Sequence, residues 1–148
     1  MENTAYFVTT CTAHARPLFG DARCAEMVME SARWFRKGGR IWLLGCVVMP
    51  DHVHLAFALR GRQTLSQVMQ VLKGSVSRRL RLECGVSGPV WQPGFFDKAV
   101  RDRAQAYEVL DYIHGNPVRA GFCATGEQYP FSSAHPRWSK EMDWWWLG

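Results

Sequence analysis

The chain is expected to form an α+β fold of the ferredoxin-like βαββαβ kind: an antiparallel sheet with helices packed on it, plus a further C-terminal helix. Three observations predict this. Strand-like and helix-like hydrophobic patterns alternate in the order β-α-β-β-α-β-α along 148 residues. Two of the strand patterns are separated only by Pro50-Asp51, a tight turn that makes them an antiparallel hairpin. No composition shift, repeat or low-complexity linker divides the chain, so one domain is expected over 1–148, with an irregular tail from about residue 123.

Each element has a local reason. Tyr6 to Thr12 is rich in β-branched and aromatic residues and reads as a strand. Asp21 is placed to cap a helix whose inner positions are Ala25, Val28, Met29, Ala32 and Phe35, and Gly38-Gly39 stops it. Ile41 to Met49 is a nearly continuous apolar run, as in a buried strand, and His52 to Leu59 returns beside it. Thr64-Leu-Ser-Gln67 forms a capping box ahead of an amphipathic helix marked by Leu65, Val68, Met69, Leu72, Val76 and Leu80. Gly85, Gly88 and Pro89 lie in a loop, and Phe95 to Arg101 is a short strand. Asp102 caps the last helix, with Ala106, Val109, Leu110 and Ile113 inward, and Pro117 is expected to end it. The helices are expected on one sheet face, with the other open unless something covers it.

Composition narrows function. Hydrophobic residues make up 47% of the chain, enough for a core and against general disorder. No apolar run approaches the roughly 18 residues of a membrane helix, and the polar N-terminus lacks signal-peptide character. Five dispersed cysteines without a CxxC pair argue against a disulfide scaffold and fit a reducing cytoplasm. The net charge is +5, and Arg60, Arg62, Lys73, Arg78, Arg79 and Arg81 lie in a stretch with no acidic residue. Such a stretch is the electrostatic footprint of a nucleic-acid binder or a solvated helix face.

The sharpest local feature is His52-Val53-His54. Side chains alternate along a strand, so His52, His54, Ala56 and Ala58 share one face, while Val53, Leu55, Phe57 and Leu59 share the core face. Two imidazoles at i and i+2 can meet one metal ion, or can simply be two polar residues on a solvated strand. On the last helix Tyr112 and Asn116 stand one turn apart, with Glu108 on the same face, opposite the apolar stripe. Asn116 is a candidate oxygen ligand and Tyr112 a candidate nucleophile; a boundary tyrosine beside a helix-ending Asn-Pro is the plainer alternative.

Together these segments resemble a known family. Val47-Val-Met-Pro-Asp-His-Val-His-Leu55 is similar to the metal-binding HUH strand of IS200/IS605-like single-tyrosine transposases. Leu72-Lys-Gly74, Val90-Trp-Gln-Pro-Gly-Phe-Phe96, Val100-Arg-Asp102 and Leu110-Asp-Tyr-Ile-His-Gly-Asn-Pro-Val-Arg-Ala-Gly121 follow in order. With Tyr129-Pro-Phe-Ser-Ser133, this string resembles the subgroup of REP-associated tyrosine transposases. The resemblance implies an HUH endonuclease fold acting on single-stranded or hairpin DNA. It implies His52, His54 and Asn116 as ligands of Mg²⁺ or Mn²⁺, and Tyr112 as the nucleophile that forms a covalent 5′-phosphotyrosine link. A monomer or homodimer is compatible with it, and no membrane partner is implied. Lys73, Arg78 and Arg79, and more directly Arg101, Arg103 and Arg119 flanking Tyr112, are candidate DNA contacts. The competing readings are a non-catalytic or domesticated nucleic-acid-binding module on the same fold, and an unrelated hydrolase using Asp51 or Glu108 as a base. The Trp-rich C-terminus is expected to finish the core.

Overall fold

A computed structural model of the protein describes residues 4–147. The strands are β1 (Ala5–Cys11), β2 (Ile41–Met49), β3 (His52–Leu59) and β4 (Phe96–Val100). The longer helices are α1 (Ala22–Lys37), α2 (Leu65–Cys84) and α3 (Arg103–Arg119). All strands pair antiparallel in the order β2-β3-β1-β4, which is the ferredoxin-like order. The expected caps form: the side chain of Asp21 accepts from Arg23 N–H, that of Asp102 accepts from Gln105 N–H, and Thr64 and Gln67 cap one another reciprocally.

Helices α1 and α2 pack on one sheet face. Met29, Ala32, Val68 and Leu72 bury against Val8, Leu43, Leu55 and Phe57. Helix α3 covers most of the opposite face, setting Val109, Leu110 and Ile113 against Ala5, Val47, Ala56 and Ala58, and leaves Phe96 and Lys98 of the β4 edge exposed. The small side chains of Ala56 and Ala58 let this helix approach the sheet closely. Gly45 does the same in β2, at a register irregularity: a Cβ there would run into Leu110 Cδ2 and Ser133 Oγ.

Pro117 does not end α3, as the residue order suggests, but sits within its last turn. A proline this near the C-terminus forfeits one ladder bond, with little helix left to break. Termination falls to Gly121 in a left-handed conformation (φ 83°). Phe122 N–H donates to Pro117 O at 2.9 Å and Gly121 N–H to Val118 O at 3.0 Å, the paired bonds of a Schellman end.

The chain after residue 123 holds only short turns, a four-residue helix (α4, Pro136–Ser139) and a 3₁₀ turn at Trp144–Leu147. This segment runs along the outer edge of β2 and satisfies its backbone. Val48 N–H donates to Phe131 O, Ser133 N–H to Cys46 O and Asp143 N–H to Leu43 O, so the edge strand is not left unpaired. Trp138 is fully buried in the α1/α2 core, while Leu147 is buried in the α3 core. Trp144 and Trp145 remain partly exposed, with Trp145 edge-on to Trp42.

Ser133 ties three elements together. Its buried hydroxyl accepts from Cys46 N–H at 3.0 Å and is hydrogen-bonded to His114 Nε2 at 2.8 Å. Burial holds the His114 imidazole below its ordinary range, while Asp111 and Glu127 oppose that shift. Its contribution to stability is therefore present above the ordinary histidine range and falls as pH drops. Ser133→Ala leaves the Cys46 N–H without a partner and is expected to cost about 1–3 kcal/mol. The urea unfolding midpoint measures it; an unchanged midpoint would remove the role given to this bridge.

Candidate active site

His52 and His54 open β3, and both rings project to the α3 side. Their centroids are 4.8 Å apart. Each ring is held through Nδ1: Asp51 Oδ1 accepts from His52 at 2.8 Å, and Thr9 Oγ1 is bonded to His54 at 2.8 Å. With Nδ1 engaged in both rings, Nε2 is the atom of each that is available to a ligand. A carboxylate or hydroxyl behind each imidazole is the usual orienting partner of a metal-binding histidine. Burial pushes the His54 imidazole down to about 4, with the nearby His52 and Arg119 adding to the shift. It is thus neutral at physiological pH, as a metal ligand must be.

The surroundings of His54 differ from the sequence expectation. A solvent-facing strand would leave both histidines exposed, yet His54 is only 6% exposed. Helix α3 and the side chain of Phe7 cover it; the Phe7 ring lies 5.3 Å away. Removing the two histidines should therefore have unequal effects on stability. His52→Ala is expected within about 0.5 kcal/mol of the parent. His54→Ala vacates buried space and strips Thr9 Oγ1 of its partner, at a cost of about 1–3 kcal/mol. Urea denaturation compares them; equal losses would contradict the burial.

Tyr112 reaches this pair from α3. Its ring lies 5.5 Å from that of His54 and 5.9 Å from that of Phe7, both near edge-on, and it remains 46% exposed. The Arg119 guanidinium sits 4.4 Å over the ring, while its Nη2 donates to Tyr112 O at 2.6 Å. A cation is thereby fixed beside the phenol. Tyr112 and His54 line one cleft of about 400 Å³ with Thr9, Lys98, Gln105 and Glu108. Asn116 follows Tyr112 by one helical turn and is half-buried. Among the described residues no cluster of three or more His, Cys, Asp or Glu side chains forms a metal site. Asn116 is not among the residues that line the cleft with His54 and Tyr112.

The cationic candidates separate. Arg101 and Arg103 are exposed where β4 passes into α3, and Arg119 is on Tyr112 itself. Arg78 is exposed on α2, across the sheet from the cleft. Arg79 is paired with Glu30 at 2.9 Å and Glu83 at 3.1 Å, and stacks on Trp34. Lys73 donates to the backbone carbonyls of Gln92 at 3.2 Å and Gly94 at 2.6 Å. These last two are thus already engaged by groups of the chain itself. Thr9, Phe7 and Lys98 line the site without standing out in the sequence. Their only signal there is alternation along β1 and β4, which places them on the His54 face once the register is known.

The family profile described as "Transposase IS200 like" matches residues 1–116, a span that includes His52, His54, Tyr112 and Asn116. The chain belongs to the IS200-like transposase family. Among curated relatives of this IS200-like chain, the REP-associated tyrosine transposase of Escherichia coli (strain K12) is 31% identical over 90 residues. That match covers 60% of this chain and 52% of the relative. A Haemophilus influenzae protein that carries the same name provisionally is 30% identical over 98 residues, covering 60% of this chain and 56% of its own length. The chain thus spans about half the length of the curated relatives it matches. The solved structure of a REP-associated tyrosine transposase bound to a REP hairpin superposes with a TM-score of 0.71 at 22% identity. It covers 90% of this chain and 78% of that one. This likeness shows that the IS200-like chain has the transposase fold.

Proposed function

We propose that this protein is a metal-dependent single-strand DNA endonuclease and transposase, which cuts and rejoins single-stranded or hairpin DNA through Tyr112. The observation that carries the proposal is the Tyr112 ring beside His54 in one cleft, in a chain of the IS200-like family. In the reaction, Tyr112 Oη forms a bond to phosphorus and the P–O3′ bond breaks. The 5′-phosphate stays on the enzyme as a phosphotyrosine, and the phenolic proton ends, in net, on the departing 3′ oxygen. Reversal by a 3′-OH joins a strand and frees the tyrosine.

His52, His54 and Asn116 are a suitable donor set for Mg²⁺ or Mn²⁺: two imidazole nitrogens with their other nitrogen already engaged, and one amide oxygen. Such an ion supplies charge stabilisation at the scissile phosphate. The chain's own residues do the rest. Arg119 stacks on Tyr112 and braces it through its carbonyl. Arg101 and Arg103 offer phosphate contacts beside the helix that carries the nucleophile. Tyr112 meets His54 of its own chain, which favours an active site complete in one protomer. No described helix is long and apolar enough to cross a membrane, and we place the protein in the cytoplasm. The cover of α3 over β2, β3 and the start of β1 leaves only the β4 edge of that face exposed, which weighs against a non-catalytic module of the kind that stacks RNA across an open sheet face.

The test is a denaturing gel of the protein with labelled hairpin-bearing single-stranded oligonucleotides and Mn²⁺. A slow covalent protein–DNA band is expected, lost with EDTA. DNA binding without any band across a broad oligonucleotide set would favour the non-catalytic module.

A further inference from the structure

Beside the cleft is a second depression, about 180 Å³, lined by Thr9, Cys11, Gln92, Pro93 and Phe96 among others. The register places it. Thr9 pairs with His54 on one side and with Phe96 on the other, and cross-strand partners project to the same face. The bond between Thr9 Oγ1 and His54 Nδ1 identifies that face as the one bearing the imidazoles. Phe96 therefore stands two strand spacings from His54, roughly 10 Å. Lys98, two residues on, shares the face and lines the cleft.

Phe96 is 68% exposed, whereas its neighbour Phe95 packs against the α1/α2 core. Burial thus accounts for one aromatic of the pair and not for the other. The loop leading to Phe96 is tied down by hydrogen bonds. Gln92 N–H donates to Cys11 O at 2.9 Å, Lys73 Nζ donates to Gln92 O and Gly94 O, and Trp91 Nε1 donates to Lys73 O at 3.0 Å. This clamp uses the backbone of Gln92 but not its side-chain amide, which makes no hydrogen bond among the described residues and lies at the depression. An exposed π-face, an unengaged amide and a nearby ammonium are the groups that hold a base by its plane, its edge and its phosphate.

We propose that Phe96 and Gln92 form a nucleobase subsite that holds one unpaired base of the DNA strand next to the cleft, Phe96 by stacking and Gln92 by hydrogen bonds to the base edge. The proposal rests on the single-strand DNA reading above and adds to it a positioning residue outside the catalytic group.

The test uses the full chain carrying Tyr112→Phe, so that binding is read without cleavage. The ligand is a fluorescein-labelled hairpin with a randomised single-stranded tail, and a matching hairpin whose tail is abasic. Phe96→Leu is expected to weaken binding of the base-bearing tail by roughly 5- to 150-fold, the range for one stacked base. Phe96→Trp restores it, and Phe96→Leu no longer distinguishes the two tails. Its unfolding midpoint stays at the parent value, since the ring is exposed. Unchanged affinity in Phe96→Leu overturns the subsite while leaving the DNA reading intact. A change of sedimenting mass in Phe96→Leu would assign Phe96 to contact between copies along the β4 edge, and overturns it too. Failure of the parent to bind either hairpin defeats the single-strand DNA reading, and the subsite with it.

Discussion

Tyr112→Phe is expected to abolish covalent attachment to DNA, not merely to slow it. The substitution removes one oxygen atom, and that atom is the one proposed to bond to phosphorus. No other group in the cleft replaces it in kind: Thr9 Oγ1 is bonded to His54, and Lys98, Gln105 and Glu108 carry no phenol. The fold should be indifferent. The Tyr112 ring is nearly half exposed, and its packing against Phe7 and His54 and beneath Arg119 is kept by phenylalanine. The stability change is expected within about 0.5 kcal/mol, and affinity for single-stranded hairpin DNA close to that of the parent. A denaturing gel reads the covalent species, and anisotropy reads the binding. A metal-dependent covalent band persisting in Tyr112→Phe would move the nucleophile elsewhere. Loss of binding along with the band would make Tyr112 a DNA contact instead.

The largest effect on stability is expected far from the cleft, in Asp143→Ala. The Asp143 carboxylate is almost fully buried. It accepts from Arg36 Nε and Nη2 at 3.0–3.1 Å and from Leu43 N–H at 2.8 Å. Its own N–H donates to Leu43 O at 2.7 Å. It therefore fastens the C-terminal segment to α1 and to the edge of β2 at once. Alanine strands the Leu43 N–H and leaves a mostly covered guanidinium with only Glu141, at 3.4 Å, as counter-charge. Breaking one side of a buried ion pair costs about 3–5 kcal/mol, and the partial exposure of Arg36 places this case near 3 kcal/mol. For a domain of this size the melting temperature should fall by roughly 6–12 °C. Asp143→Asn keeps an acceptor but not the charge and should lie between. A loss below about 1 kcal/mol would show that the segment is held mainly by its other contacts, the Ser133 bridge and buried Trp138 and Leu147 among them.

The order of elements is legible because local rules agree with the global fold. Asp21, Thr64 and Asp102 are capping residues in positions where the chain has one conformation to choose, and each caps its helix. The catalytic candidates are legible for a similar reason. His52 and His54 are two apart on a strand, and Tyr112 and Asn116 four apart on a helix, so spacing alone puts each pair on one face. Pro117 misleads because its local preference says nothing of position: near a helix end the missing N–H costs little, and Gly121 holds the stop.

Other features depend on residues remote in sequence. Whether Ala56 and Ala58 face solvent or a helix is decided by the docking of α3, and with it the burial of His54. Which partners a lysine meets within the chain is decided by which carbonyls fold back to it, as Gln92 and Gly94 do to Lys73. Periodicity and capping are local, so residue order alone specifies the strands, the helices and the faces that carry His52, His54, Tyr112 and Asn116. Contacts between β1 and β4, or between Asp143 and Arg36, close loops of many tens of residues. Their geometry follows from how whole layers pack, and it becomes visible only when the chain is folded.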